Sequence, residues 1–234
     1  MARLAESCQG IGRALPWQVG KLETWLNDAL RESAFKEALL RIGVNWETKI
    51  SGSFVSMIRE FQAYPEDWYK EGVAVKTAVT RRWTLKAQDS QIKSSQYASG
   101  VMAFLDKGQA PVHELLFLGQ GGTVAEGSVS NIFIVKEKRL LTPHAASGIL
   151  RGVTRNFVVY LAKQRGIQVA ETFLTRHEIY SAEECFMTNT SSEVLPVVEV
   201  DARKIGDGGP GPMTRGLRAD FRNYVEVFRK NGQN

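Results

Sequence analysis

Long apolar runs, cysteine and histidine are all scarce in this chain of 234 residues, and each scarcity closes a route. No stretch approaches the roughly 18 consecutive apolar residues that a bilayer-spanning helix needs, so no membrane partner is expected. The opening MARLAESCQG lacks the apolar centre of a secretory signal, which sets the expectation of a cytoplasmic protein. Cys8 and Cys185, the two cysteines, make neither a disulfide framework nor a metal knuckle and read as small, half-buried residues. His113, His144 and His177 show no HxxxH or HExxH spacing, so neither a metal site nor a Ser/His/Asp arrangement is expected. Basic runs interleaved with aromatics are missing too. The net charge of +5 is dispersed among 25 acids. Nucleic acid is therefore not an expected partner, whereas a basic site for small anions accounts for part of the excess.

What is present is a globular balance, 43% hydrophobic and 24% charged, in a chain long enough for two modest domains. The first third reads as helical with one or two strands. Val19, Leu22, Trp25, Leu26 and Leu30 share a helical face, with Pro16 available for the first turn. KEALLRI reads as a short helix capped by Gly43, and FVSMIREF as a strand. AYPEDWYKEG clusters Pro, Gly and charge like a linker, which puts a boundary near residue 66 and divides the chain into 1–66 and 67–234. Beyond Val73 strands and helices alternate. GVAVKTAVT, ELLFLG, NIFIVK, LLTP, IQVAETF, ECFMT and VLPVVEV read as strands, and a helix is expected around Tyr97 to Leu105. Another helix turns Val153, Phe157, Val158 and Leu161 inward and stops at Gly166; Thr175 and Glu178 spell a capping box; Leu217, Phe221, Val225 and Phe228 mark an amphipathic C-terminal helix.

Four segments carry chemistry. EGSVSNIFIV, 126–135, sets an acid, a polar turn and a buried strand in succession, an arrangement that can aim one carboxylate at a ligand. SQIKSSQY, 90–97, carries Lys93 beside an apolar residue; a lysine whose pKa falls on burial can serve as a Schiff-base amine and proton shuttle. ILRGVTR, 149–155, opens a helix at Gly152, Val153 and Thr154, so free amides and the helix dipole face an anion. TNTSSEVLPV, 188–197, offers Asn189, Thr190 and Ser191 in a second polar turn. An amine, a carboxylate and phosphate donors are the three things a pyridoxal phosphate enzyme asks of its protein. GDGGPGP invites a nucleotide reading, but no GK[ST] follows it, and it reads as a turn before a helix.

In this order the segments resemble the fold-type IV pyridoxal-phosphate family: branched-chain aminotransferases, D-amino acid aminotransferases and aminodeoxychorismate lyases. The resemblance covers most of residues 73–225. It implies an α+β, two-domain D-amino acid aminotransferase-like fold, with a small α/β N-terminal domain and a larger mixed-sheet, barrel-like C-terminal domain. It also implies pyridoxal 5'-phosphate as cofactor, a small amino acid and keto acid as substrates, and a homodimer. By the same resemblance Lys93 is the lysine that holds the cofactor and Glu126 the partner of its ring nitrogen. Leu150 packs on the ring face, and Val153, Thr154, Thr190 and Ser191 hold the phosphate together with Arg3, whose ARLAES context lacks the family's usual histidine. The family's opening strands, with a GDGVFE-like segment, are missing ahead of ARL, and the stretch ETKISGSFVSMIREF is short where relatives recognise substrate carboxylate. Arg59, Arg81 and Arg82 are candidates for that task. Amino transfer is the first expectation, pyruvate-releasing lysis of aminodeoxychorismate the second, and a cofactor-binding remnant without turnover the third.

Overall fold

A computed structural model describes residues 1–48, 52–85 and 88–231. The chain forms two compact units, Met1–Ala63 with Ile92–Ser94, and Tyr64–Gln91 with Ser95–Asn234.

In the first unit, α1 (Ala2–Gly10) and α2 (Val19–Glu32) accompany a hairpin of β1 (Ala38–Trp46) and β2 (Gly52–Glu60). Leu22 and Leu26 of α2 are buried, while Val19 and Trp25 stay exposed. The helix starts at Val19 behind the N-cap Gln18, so Pro16 precedes it. The KEALLRI helix is not formed. Its residues from Ala38 onward enter β1, whose ladder runs without a break from Ala38↔Glu60 to Trp46↔Gly52. A seven-residue helix is marginal alone, and the hairpin satisfies a whole row of backbone groups in register. Gly43 accordingly pairs with Val55 instead of capping a helix. Residues 49–51, within the stretch flagged for substrate carboxylate, lie outside the described residues.

The second unit begins with α3 (Glu66–Lys70), which lies in the stretch expected to be a linker. Tyr69 is buried and Trp68 packs against the core, so aromatic bulk anchors this charged segment. Then follow β3 (Val73–Thr77), α4 (Ala98–Lys107), β4 (Glu114–Leu118), β5 (Val124–Gly127), β6 (Asn131–Lys136) and β7 (Arg139–Pro143). The remainder is α5 (Val153–Gln164), β8 (Val169–Thr172), α6 (Arg176–Tyr180), β9 (Glu184–Asn189), β10 (Glu193–Val200), β11 (Arg203–Lys204) and α7 (Pro212–Asn231).

The strands make one mixed sheet in the order β5-β4-β3-β10-β9-β6-β7-β8, with β11 on β10. Val124 N at one end of that order donates to the Leu174 carbonyl just past the other end, at 2.7 Å, so the sheet curls on itself. Its interior holds Val75, Leu116, Ile132, Ile134, Met187 and Leu195. Outside, α5 and α7 cover a second cluster around Phe133 and Phe186, whose rings stack at 4.9 Å. Among the inward positions of α5, Val153 departs from its expected role: at the first helical position it is 60% exposed. Phe228 is likewise exposed, because only the first half of α7 rests on the sheet. The capping box forms as expected, with Thr175 and Glu178 each bonding the other's main chain. Among the described residues no helix is long and apolar enough to cross a membrane.

Candidate active site

Glu126 is the next-to-last residue of β5 and is only 5% exposed. A carboxylate taken out of water must be repaid in hydrogen bonds and charge. Its Oε2 accepts from Leu150 N at 2.9 Å and from Asn131 Nδ2 at 3.1 Å, while Oε1 pairs with Arg82 Nη2. The other Nδ2 hydrogen of Asn131 goes to the Leu150 carbonyl at 2.8 Å, so the amide is fully committed to these neighbours. Arg82 also lies over the Phe117 ring, 5.5 Å from its centroid, and its Nε faces the Gly148 carbonyl at 3.4 Å. A guanidinium seated this way is committed to Glu126, which takes Arg82 from the substrate-carboxylate candidates.

The chain reaches Leu150 through a tight approach. A Cβ on Gly152 would run into Asn131 Oδ1, so only glycine lets this segment lie against the amide. Gly152 is the N-cap of α5 and contributes no side-chain cap. The first amides of a helix have no intrahelical acceptor, and those of Val153 and Thr154 carry the positive end of the dipole. Thr154 is buried. Arg155, 1% exposed, fixes this turn by donating to the Pro143 carbonyl at 3.2 Å and to Glu171 Oε2 at 2.7 Å.

The second polar turn runs from Thr188 to Glu193. Asn189 Oδ1 accepts from Ser191 N at 2.8 Å and Ser192 N at 2.7 Å, so Asn189 builds the turn from within. Thr190 is exposed and Ser191 half-buried. Tyr69 OH donates to the Ser192 carbonyl at 3.2 Å and ties α3 to this turn. Thr188 Oγ1 and Ser192 Oγ are buried with no hydrogen-bonding partner among the described residues. Thr188 sits opposite Asn131 in the β6–β9 register, which joins this turn to the Glu126 cluster.

Lys93 and Arg3 belong to the first unit. Lys93 N donates to Ser7 Oγ at 3.1 Å, and the Lys93 side chain is exposed. Ser7 lies one helical turn after Arg3, so both occupy one face of α1. Ile92 rests on the same helix: a Cβ at Gly10 would lie 2.9 Å from its Cγ1. Both cysteines are buried and free, and burial pushes the Cys8 thiol up. No cluster of metal-ligating side chains occurs among the described residues.

Glu126, Leu150, Gly152, Val153 and Thr154 thus converge in the second unit, with Asn189, Thr190 and Ser191 in an adjoining turn. Asn131, the joint between them, is not singled out by the sequence. Its one signal is position: an amide at the first residue of a buried strand, five residues after the acid.

The chain belongs to the class IV amino-transferase family, whose sequence model matches residues 1–200. A branched-chain-amino-acid aminotransferase of Pseudomonas aeruginosa is 31% identical over 233 residues, covering 95% of this chain and 76% of that protein. A putative branched-chain-amino-acid aminotransferase of Methanocaldococcus jannaschii is 38% identical over 154 residues. That match takes in 66% of this chain, which spans only 54% of the relative's length. Among solved structures, the branched-chain amino acid aminotransferase of Thermobaculum terrenum in its PLP-form superposes with a TM-score of 0.83 at 27% identity, covering 96% of this chain and 76% of the other. The α+β fold with its curled mixed sheet is that of the class IV aminotransferases.

Class IV aminotransferases use pyridoxal 5'-phosphate, and the donors described above suit it. Free helix amides beside the unpartnered hydroxyls of Thr188 and Ser192 match a phosphate ester, and a buried carboxylate with fixed geometry matches a protonated ring nitrogen.

Proposed function

We propose that this chain is a pyridoxal-phosphate-dependent aminotransferase that moves an amino group between an amino acid and a 2-keto acid, with Lys93 as its catalytic residue. The observation that carries the reading is the buried Glu126 carboxylate, fixed by Leu150 N at 2.9 Å and Asn131 at 3.1 Å next to the uncapped start of α5. When bound, the cofactor supplies an electron-poor ring that stabilises the charge left on a substrate carbon when a proton departs. Glu126 holds the proton of the ring nitrogen, and Arg82, paired with Glu126 Oε1, helps to fix the carboxyl group in place. The amides of Val153 and Thr154, with hydroxyls from Thr190, Ser191 and the unpartnered Thr188 and Ser192, bind the phosphate, and Arg3 adds a cation. Leu150 gives the ring an apolar face. The ε-amine of Lys93 holds the aldehyde and moves the proton at the substrate α-carbon.

Branched aliphatic amino acids are the donors we assign, since the similar proteins named above carry that substrate in their names. A homodimer and a cytoplasmic setting complete the reading; both cysteines are free, as a reducing compartment keeps them.

Purified protein is mixed with pyridoxal 5'-phosphate and followed by visible absorption. A band that borohydride abolishes, with a mass adduct on the Lys93 peptide, is the expected result. Valine, leucine or isoleucine should then convert the band, and a 2-keto acid should restore it. Lys93→Ala should lose the adduct and keep the circular dichroism of the parent. An adduct retained in that variant would overturn the assignment of the lysine; a protein that takes up no cofactor would overturn the function.

A further inference from the structure

Glu126 sits on a short strand whose ladder is irregular. β5 has four residues, and its ladder to β4 consists of Leu116↔Gly127 and Leu118↔Val124 with an irregularity between them. The turn that follows, 128–130, has no apolar anchor: Val129, at its centre, is 65% exposed. A second carboxyl group stands in that place. Glu114, at the start of β4 and 6% exposed, accepts from Val129 N at 2.7 Å and Ser128 Oγ at 3.2 Å on one oxygen. Its other oxygen accepts from Ser130 Oγ at 2.9 Å. Ser128 N adds a main-chain bond to the Leu115 carbonyl at 3.0 Å. The packing is close enough that a Cβ on Gly127 would collide with both Ser130 Oγ and Glu114.

From these contacts we infer that Glu114 is a positioning residue for the cofactor's ring partner: it clamps residues 127–130, so that Glu126 before the turn and Asn131 after it meet Leu150 in one arrangement. The inference rests on the function proposed above. Both hydroxyls of the turn and the Val129 amide are spent on Glu114, and both carboxyl oxygens of Glu114 are spent on the turn, so the two move as one body. Asn131 then delivers its amide to Glu126 Oε2 from the far side of the clamp. Burial pushes the Glu114 carboxyl up, against the pull of its bonds from Val129, Ser130 and Ser128. A carboxyl group with raised pKa still serves, because a protonated oxygen can donate to a serine hydroxyl while the other accepts from Val129 N.

A purely structural role would weaken the fold without regard to Glu126, so the discriminating measurement is a double-mutant cycle on cofactor affinity. Dissociation constants for pyridoxal 5'-phosphate are read by fluorescence quenching on the parent, Glu114→Ala, Glu126→Gln and the pair. Glu114→Ala should weaken binding about tenfold, the scale of one hydrogen bond to a charged group. In the Glu126→Gln background the same change should cost less than twofold. Glu114→Gln, which keeps an acceptor for Val129 N and a donor for Ser130, should recover most of the affinity. If Glu114→Ala does not fold, Ser128→Ala with Ser130→Ala removes the clamp from the other side and should show the same non-additivity. Additive losses across the cycle, or no loss in either clamp variant, overturn the inference. A parent protein that binds no cofactor overturns the proposed function instead, so the two failures are distinct.

Discussion

Tyr69 shows how one side chain links stability to the candidate site. Its hydroxyl is tied to the Ser192 carbonyl at 3.2 Å, and its ring lies under the guanidinium of Arg218 at 3.8 Å. Burial, with a further push from the nearby Glu193 carboxylate, takes the phenol from 10 up to about 12. The folded state therefore favours the neutral phenol more than the unfolded state does. That stability is complete below pH 10 and is lost as pH rises from 10 through about 12, and a shift of this size is worth about 3 kcal/mol at most. Urea titrations at several pH values should show stability falling across this window. Tyr69→Phe should flatten the fall and cost about 1 kcal/mol at neutral pH through the lost hydrogen bond. An unchanged alkaline slope in that variant would show that another group controls it. At this scale the sequence was informative wherever a side chain stood in a distinctive local order: Glu126 before a polar turn, Thr154 after a glycine. Asn131, Arg82 and Glu114 were illegible as partners because they contact Glu126 or its turn only after β4, β5 and the loop behind β3 have come together.

Elements were readable where local chemistry dominates. The Thr175 and Glu178 capping box, the α5 start at Gly152 and the strands from β3 to β10 other than β5 follow from caps, periodicity and β-branched runs; β5, four residues long, carries too short a pattern to be read. β1 was not, because its apolar residues fit a short helix as well as a strand, and only pairing with β2 decides between them. α3 was hidden by its Pro and charges, its anchorage coming from Trp68 and Tyr69 packed on distant strands. The junction between elements that matters most is Gly152, where α5 meets β6. Its φ of −63° and ψ of 143° are open to any residue, so replacement brings no backbone strain. A methyl group there would instead strike Asn131 Oδ1 and push the amide off Glu126 and the Leu150 carbonyl. Gly152→Ala should cost about 1–3 kcal/mol in chemical denaturation, the range for overpacking a fitted interior, and weaken cofactor binding at least tenfold. Full cofactor affinity in that variant would show that the Asn131 amide does not position Glu126.

For the molecule as a whole, the surface of α4 makes a prediction about assembly. Ser99 and Ala103, one turn apart, are 9% and 0% exposed and seat the helix on the second unit. Its other side presents Val101, Phe104 and Leu105 at spacings of three and four, 56%, 67% and 67% exposed, with Met102 beside them at 56%. Isolated apolar residues on a surface are ordinary, but a contiguous stripe of four on one helix is what interfaces use. The dimer in the proposed function gives that stripe an occupant, a second copy of the chain. Sedimentation velocity at micromolar concentration should then show a two-chain species. Phe104→Glu with Leu105→Glu should shift it to one chain while leaving the far-ultraviolet spectrum of the fold intact, because neither side chain supports the core. A parent chain that sediments alone would remove the dimer from the reading. A double variant that still dimerises would move the interface away from α4 and leave its apolar stripe without this role.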